Sequence, residues 1–261
     1  MSELIKINRN DEVCEVLLNR PQSFNAFNLE MIELLANRLI GIAMDDTVLA
    51  VIISGEGKAF CAGGDLKWAL EQPSGRPAAF HELAARYHQA ILEIRRMKKP
   101  VVAAINGVAA GGGFSLALAC DFRVMAKSAI MRQAYTSAGL CIDGGGTFSL
   151  PRVVGVARAM EIMAFDKPIS SEQALAWGLV NKAVDDGRVM EEARTMAHDL
   201  LKGSIHSFGW CKELIADSFN TPFEMQLERE RAALSTCAAH PDGKEGLTAF
   251  AEKRKPVFNR R

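Results

Sequence analysis

The chain has 261 residues, of which 49% are hydrophobic and 24% are charged, and its 31 basic residues balance its 31 acidic residues. A chain of this length and composition can bury a sizeable core, which excludes an intrinsically disordered protein and a small disulfide-stabilised scaffold. A formal net charge of zero removes the electrostatic case for a dedicated nucleic-acid-binding protein.

The six cysteines are scattered singly, without a Cys-x-x-Cys pair or histidines at metal-ligand spacing. This distribution is typical of reduced thiols in a cytoplasmic protein and predicts no metal site. The uncharged run 100–120 is long enough to cross a bilayer, but it contains Asn106, Ser115 and four glycines. We therefore expect a buried strand, a tight turn and a buried helix in this run, and no membrane partner.

Strand-like and helix-like runs alternate through the first part of the chain, and helices dominate the last third. In chain order, the predicted elements are a strand at 13–18, a helix at 29–44, a strand at 48–54, a mobile polar loop at 72–77, a helix at 80–97, strands at 101–105, 122–126 and 179–184, and helices at 189–201, 204–216, 223–237 and 246–252. This order predicts an α/β core with a helical C-terminal region.

Three consecutive glycines, 111–113, lie between the predicted strand 101–105 and an apolar helical run. Glycine lets the backbone approach a ligand closely, and the start of a helix exposes free N–H groups. The pattern indicates a phosphate or oxyanion site, but a tight turn packed against a neighbour explains these residues equally well. Segment 113–117 half-resembles the nucleophile elbow of a serine hydrolase, which stays an alternative although its final glycine is missing.

A second glycine cluster places Asp143 between an apolar stretch and the glycines 144–146. A carboxylate in this position can accept and return a proton. It can also cap the helix that follows, and from these residues alone the cap is the commoner structure. A third segment, 55–66, is expected at the carboxyl end of the predicted strand 48–54, where open α/β sheets bind ligands.

Taken together, these segments resemble the crotonase (enoyl-CoA hydratase/isomerase) superfamily over almost the whole chain. The segments that carry the resemblance are 19–21, 25–28, 57–66, 99–107 with the glycines 111–113, 119–121, 150–155, 176–180 and 250–256. The resemblance implies a spiral of ββα units over residues 1–200 and a helical trimerisation region over 201–261. It also implies a homotrimer or homohexamer that acts on an acyl-CoA thioester, with coenzyme A as the substrate's carrier and no tightly bound cofactor.

In this family two backbone N–H groups hold the thioester oxygen, and by position they would belong to Gly64 and Gly112. The resemblance further implies contacts with coenzyme A from Asn25, Ala26, Lys58, Ala59, Ala62, Gly63, Asp65, Leu66, Gly111, Phe250 and Lys253. The basic C-terminal segment 252–261 would lie near the CoA phosphates of the same or a neighbouring subunit.

The chain departs from the family at the two glutamates of its enoyl-CoA hydratases, where Ser115 and Tyr135 stand instead. Neither residue is a comparable base at pH 7, which argues against hydration by two glutamates. Asp143 falls where phenylacetate-type isomerases and 4-chlorobenzoyl-CoA dehalogenases of the family carry their working aspartate. His88 aligns with a histidine of the dehalogenases, which have tryptophan where Tyr135 stands.

We therefore expect an enoyl-CoA isomerase with Asp143 as acid/base, Gly64 and Gly112 as oxyanion donors, and Tyr135 and Ser115 along the reacting carbons. Three alternatives stay open: a dehalogenase or thioesterase acting on an aromatic acyl-CoA, a hydratase with a different acid/base set, and a non-catalytic subunit that binds CoA thioesters. An aromatic acyl pocket is suggested by three residues that core packing explains as well, namely Phe24, Phe27 and Trp68. RNA binding has no basic stripe to support it.

Overall fold

The computed structural model describes residues 3–259. Its strands are β1 (Ile5–Asn10), β2 (Val13–Leu18), β3 (Ala50–Gly55), β4 (Ala59–Cys61), β5 (Val101–Ile105), β6 (Val108–Ala110), β7 (Phe122–Ala126), β8 (Ile130–Arg132), β9 (Ile169–Ser170) and β10 (Lys182–Val184). Its α-helices are α1 (Leu29–Met44), α2 (Leu66–Glu71), α3 (Arg76–Arg96), α4 (Gly112–Ala119), α5 (Gly146–Phe165), α6 (Ser171–Ala176), α7 (Val189–Leu201), α8 (Ile205–Asp217), α9 (Phe223–Ala239) and α10 (Pro241–Ala251).

The strands form two sheets, ordered β1-β2-β3-β5-β7-β10 and β4-β6-β8-β9. Three consecutive strand pairs each contribute their first strand to the first sheet and their second strand to the second sheet, namely β3 with β4, β5 with β6 and β7 with β8. Helical segments follow each pair. Neighbours are parallel except β1 with β2 and β8 with β9. The α/β class and the spiral of ββα units that the resemblance implies are confirmed.

The long apolar elements follow the sequence prediction closely, because burial and periodicity coincide in them. β2, β5, β7, α1 and α7 have the predicted bounds. β3 and β5 are buried along nearly their whole length, as expected for central strands covered on both faces. The run 100–120 forms β5, β6 and the fully buried α4, and no helix within residues 3–259 is long and apolar enough to cross a membrane.

The predicted mobile loop 72–77 is wrong at its end, because α3 begins at Arg76 rather than at residue 80. Gly75 precedes the helix with a φ of 81°, and a proline occupies its first turn, where the missing N–H costs no hydrogen bond. The predicted strand 179–184 is also shorter, and β10 covers only its last three residues.

The C-terminal helices are joined to the core by a buried ion pair. Lys212 on α8 donates to Asp121 at 2.7 Å and also to the carbonyls of Ile94 and Lys99. Before them, α7 packs against β3, β5 and β7. The division into a core of residues 1–200 and a region of 201–261 stays a prediction.

Candidate active site

A cavity of about 110 Å³ opens between α3, the start of α4 and the loop before α5. It is lined by Phe27, Ile32, Ala62, Gly64, Leu66, Phe80, Leu83, Ala84, Tyr87, Gly111, Gly112, Ala134, Tyr135, Ala138, Leu140 and Asp143. The wall is apolar except for two tyrosine hydroxyls, backbone groups and one carboxylate. Within residues 3–259, Asp143 is the only acidic residue that lines it.

The topology brings the predicted oxyanion segments together. β4, β6 and β8 are adjacent parallel strands, so their carboxyl ends lie at one edge of the second sheet. Gly64 follows β4, Gly112 follows β6 and Tyr135 follows β8. The segment 55–66 begins at the end of β3, as predicted, but Gly63 and Gly64 follow the next strand, β4, which lies within the segment.

The glycines at this edge are needed because two backbones touch. A Cβ atom on Gly63, which has a φ of 93°, would lie 2.9 Å from the nitrogen of Gly112. A Cβ atom on Gly113 would lie 2.0 Å from the carbonyl oxygen of Cys61. The tight-turn interpretation of glycines 111–113 is therefore correct, and it does not compete with the oxyanion interpretation, since the same contact places Gly64 beside Gly112.

Both candidate oxyanion donors are unoccupied by protein acceptors. Gly112 is the first residue of α4, where an N–H has no partner within the helix. Phe27 donates to the carbonyl of Gly63 at 2.7 Å and accepts from the N–H of Asp65 at 2.8 Å. Gly64 lies between Gly63 and Asp65 and takes part in neither bond. No residue of 3–259 accepts from the N–H of Gly64 or Gly112. Two free N–H groups facing one cavity can stabilise an oxyanion.

Asp143 does not cap a helix, so the commoner interpretation of its sequence context is wrong. The helix that follows is α5, its N-cap is Gly145, and among residues 3–259 no side chain caps it. The Asp143 side chain instead meets His88 of α3, with 2.6 Å between Oδ1 and Nε2. The carboxylate is 34% exposed and the imidazole 50% exposed. The pair is therefore accessible to a ligand and to solvent.

Ser115 and Tyr135, predicted along the reacting carbons, both lie next to Asp143, but only Tyr135 lines the cavity. Tyr135 lines the cavity, and burial, reinforced by the charge of Asp143, raises the pKa of its phenol above the ordinary value. Tyr135 is thus a neutral hydrogen-bond donor at neutral pH. Ser115 is buried outside the lining, contrary to expectation, and its hydroxyl donates to the backbone carbonyl of Asp143 at 2.6 Å. It holds the loop that carries the carboxylate.

Two of the residues predicted to contact CoA, Asn25 and Asp65, use their side chains in hydrogen bonds within the protein. Asn25 is fully buried, donates to the carbonyls of Glu56 and Ala59, and accepts from the N–H of Arg20. Asp65 accepts from two N–H groups at the start of α2 and pairs with Arg20 at 2.6 Å. Both residues hold the segment that carries Gly64.

The remaining predicted CoA contacts fall into two groups. Those that line or border the cavity are Ala62, Gly63, Leu66 and Gly111. Those outside its lining are Ala26, whose carbonyl accepts from Arg20, the buried Ala59, the exposed Lys58, and the two C-terminal residues Phe250 and Lys253. Phe250 is 85% exposed, so within one chain the C-terminal residues are free to meet a ligand or another subunit.

Sequence reasoning missed one polar contact, the hydroxyl of Tyr87, and it overstated the aromatic pocket. By its spacing Tyr87 belongs to the apolar stripe of the predicted helix 80–97, yet its hydroxyl donates to the carbonyl of Gly112 at 2.5 Å. The only signal was a hydroxyl within an otherwise apolar stripe. Of the three suggested pocket aromatics, Phe27 lines the cavity, Phe24 is exposed and Trp68 packs against the core.

All six cysteines are free thiols. Burial raises the pKa of Cys61 and of Cys120 to about 12. Both therefore stay protonated at neutral pH. No cluster of histidine, cysteine and acidic side chains within residues 3–259 could hold a metal ion.

Comparison with known proteins gives consistent matches over the full chain. A model of the enoyl-CoA hydratase/isomerase family matches residues 8–261. A 1,2-epoxyphenylacetyl-CoA isomerase of Escherichia coli is 36% identical over 99% of both chains. A 4-chlorobenzoyl coenzyme A dehalogenase of an Arthrobacter species is 31% identical over 95% of this chain and 91% of its own. The crystal structure of an enoyl-CoA hydratase from Bacillus anthracis superposes with a TM-score of 0.92 at 32% identity, covering 98% and 99% of the two chains.

Proposed function

We propose that this chain, which belongs to the enoyl-CoA hydratase/isomerase family of acyl-CoA enzymes, moves a carbon–carbon double bond in an enoyl-CoA thioester. The observation that carries the proposal is a single carboxylate, Asp143, in a cavity that also holds two free backbone N–H groups. Double-bond migration needs one proton acceptor that also returns the proton, together with a group that stabilises negative charge on the thioester oxygen.

The proposed chemistry uses the two backbone N–H groups to hold the thioester oxygen and Asp143 to move the proton. The thioester oxygen accepts hydrogen bonds from the N–H groups of Gly64 and Gly112, and the second donor lies at the start of α4, where the helix dipole favours negative charge. Asp143 removes a proton from one carbon, and the electrons move to the oxygen as a dienolate. Asp143 then returns the proton to a different carbon, and the double bond has moved with no water added.

His88 supports this role by holding the carboxylate. Its imidazole bonds Oδ1 of Asp143, and within residues 3–259 no hydrogen bond engages Oδ2. One oxygen is thus fixed while the other is available to a substrate carbon. An acid/base group held in this way loses less orientational freedom on reaching the transition state.

Hydration by the two-glutamate route has no equivalent machinery in this cavity. Ser115 is occupied by the carbonyl of Asp143, and the raised pKa of Tyr135 keeps its phenol protonated. Neither group can activate water as a carboxylate would. A hydratase acting through Asp143 and His88 is an alternative that the same product analysis tests.

The proposed assembly is a homotrimer or a pair of trimers in the cytoplasm. It is supported by large apolar side chains that are exposed on the C-terminal helices and the connections between them, namely Ile215, Phe219, Phe223, Leu234, Leu247 and Phe250. Exposed apolar side chains that form a continuous patch are typical of an interaction surface. Light scattering of the purified protein tests the proposal, and a monomer at micromolar concentration contradicts it.

The isomerase proposal is tested by feeding 2-enoyl-CoA and 3-enoyl-CoA thioesters and separating the products. We expect the wild-type protein to interconvert them and Asp143→Asn to lose about 10³-fold in kcat. Asp185→Asn is the matched control, because Asp185 is an exposed acid paired with Lys127 outside the cavity lining. Water addition that survives Asp143→Asn, without double-bond movement, overturns the proposal.

A second candidate function, hydrolysis of an aromatic acyl-CoA, is favoured by the contact between His88 and Asp143. A carboxylate oxygen of Asp143 would attack a ring or thioester carbon, and halide or CoA thiolate would leave. Water, deprotonated by His88, would then cleave the ester or anhydride formed on Asp143. Release of halide or free CoA from 4-chlorobenzoyl-CoA, with a covalent adduct on Asp143, would support it. Turnover of any acyl-CoA excludes a purely binding role.

A further inference from the structure

Two consecutive residues of α3 contact the two functional parts of the candidate site, Gly112 and Asp143. The hydroxyl of Tyr87 donates to the carbonyl of Gly112 at 2.5 Å, and the imidazole of His88 meets Asp143 at 2.6 Å. Tyr87 is 4% exposed and lines the cavity beneath the oxyanion donors. One helix therefore contacts both the residue that carries an oxyanion N–H and the residue that carries the carboxylate.

The Tyr87 ring is held by close contacts with the Phe27 ring and with the backbone of Gly144. The ring of Phe27 lies on one side, with 5.3 Å between the centroids. On another side, a Cβ atom on Gly144 would lie 2.3 Å from Cε1 of Tyr87, so the backbone next to Asp143 runs directly against the ring. Gly144 has a φ of 62°, which glycine adopts without strain. With the ring fixed, its hydroxyl has little freedom to leave the carbonyl of Gly112.

The bond acts at the first turn of α4. The N–H of Gly112 makes no hydrogen bond inside α4. Its peptide unit is held on one side by the bond from the Ser115 N–H to the Gly111 carbonyl at 3.2 Å, and the Tyr87 bond holds the Gly112 residue on the other side. The carbonyl oxygen of Gly112 has two lone pairs and can accept a side-chain bond in addition to a helical one. Burial raises the pKa of Tyr87 well above the ordinary value, so its hydroxyl remains a donor.

We infer that Tyr87 is a positioning residue that aims the Gly112 N–H at the thioester oxygen, through the hydrogen bond from its hydroxyl to the Gly112 carbonyl. The inference rests on the proposed use of Gly112 as an oxyanion donor, but not on which reaction follows. Together with His88, it makes α3 the element that sets the distance between the oxyanion donors and the carboxylate.

The test uses Tyr87→Phe, which removes the hydroxyl and keeps the clamped ring. Cinnamoyl-CoA is the probe, because its absorption band moves to longer wavelength when donors polarise its carbonyl. Ser171→Ala is the matched control, since that hydroxyl is also buried and donates to a backbone carbonyl, Lys127, at 2.8 Å outside the cavity lining. Asp143→Asn is measured alongside, because it leaves both donors in place.

We expect a red shift in the wild-type protein, Ser171→Ala and Asp143→Asn, and less than half of that shift in Tyr87→Phe with its Kd for cinnamoyl-CoA within threefold of wild type. In turnover, kcat of Tyr87→Phe falls about 10-fold with KM nearly unchanged, a fraction of the 10²–10³-fold lost when a whole donor is removed. 4-Aminophenylalanine in place of Tyr87, which restores a donor on the same ring, should recover most of the shift.

A Tyr87→Phe protein with the full wild-type shift and kcat overturns the inference and leaves the isomerase proposal standing. A full shift in the wild-type protein without isomerisation overturns the isomerase proposal, and the Tyr87→Phe shift still decides this inference. No shift in the wild-type protein overturns both. A Tyr87→Phe chain that does not fold, while Ser171→Ala does, shows that the bond serves stability and also overturns the positioning role.

Discussion

His88 and Asp143 lie 55 residues apart in the chain, and their side chains meet at 2.6 Å. The contact joins α3 to the loop before α5, so the orientation of the carboxylate depends on a helix that the sequence places far from it. His88→Ala should lower kcat about 10²-fold, because a misplaced acid/base group loses its near-attack geometry. KM should change little. Steady-state kinetics with an enoyl-CoA measures both.

His88→Gln keeps a polar group that can reach Asp143 and should recover part of the lost kcat. His198→Ala is the control, since His198 lies on α7 outside the cavity lining. A His88→Ala enzyme with the wild-type kcat would show that the carboxylate needs no partner.

Gly113→Ala should destabilise the protein, because the added Cβ atom would lie 2.0 Å from the carbonyl oxygen of Cys61. Backbone cannot move aside as a flexible side chain can, and overpacking of this kind costs about 1–3 kcal/mol or more. We expect a melting temperature at least about 2 °C below wild type. Gly187→Ala is the control, with nothing within 4 Å of the added atom, and an equal loss in both variants contradicts the close approach of the two backbones.

The charge of Asp166 predicts how the stability of the folded protein changes with pH. Burial by itself would raise the pKa of Asp166, but hydrogen bonds from Ser137, from the N–H of Ala134 and from Arg132 together hold it below the ordinary value. A lowered pKa in the folded state means that the ionised group adds stability above its unfolded pKa. That stability is lost as the pH falls through the lower, folded-state value.

Asp166→Asn should therefore lower the melting temperature at pH 7, and the difference from wild type should shrink as the pH approaches 3. Asparagine tolerates the left-handed backbone of this position, where φ is 44°, so the substitution isolates the charge. Asp185→Asn should have little effect, because its ion pair with Lys127 is exposed. A difference for Asp166→Asn that stays constant with pH contradicts the argument.

Lys253 tests whether the C-terminal segment meets coenzyme A. It is exposed, and its backbone has a φ of 55° just past α10. If its ammonium group pairs with a CoA phosphate, Lys253→Ala should raise KM several-fold with kcat unchanged, since the contact is equal in the ground and transition states. Lys202→Ala, an exposed lysine paired with Asp199, is the control. An unchanged KM in Lys253→Ala refutes the contact.

How far the sequence predicts this molecule depends on whether an interaction is local. The bounds of α1 and β5 follow from periodicity and apolar runs, and the pairing of Gly64 with Gly112 follows from the family resemblance and from parallel strands ending at one edge. The strands β4, β6, β8 and β9 are two or three residues long, which is too short to show the alternation of apolar and polar residues that identifies a strand.

The side-chain partners could not be predicted, because they cross long stretches of chain. Ser115 bonds a carbonyl 28 residues away, and Tyr87 bonds one 25 residues away. From its own neighbours Asp143 is more often a helix cap than a catalytic group, and its contact with His88 of α3, which contradicts the cap, cannot be read from those neighbours. The hydroxyl of Tyr87 is hidden from pattern analysis since its ring satisfies the apolar stripe.

The most direct test of the central proposal is to incubate a 3-enoyl-CoA in ¹⁸O-labelled water, separate the 2-enoyl and 3-enoyl isomers by chromatography and measure the mass of each product, with Asp143→Asn run in parallel. We predict a 2-enoyl-CoA of unchanged mass without label, and loss of that product in the variant. A product one labelled water heavier, or free CoA with a labelled carboxylic acid, would contradict it.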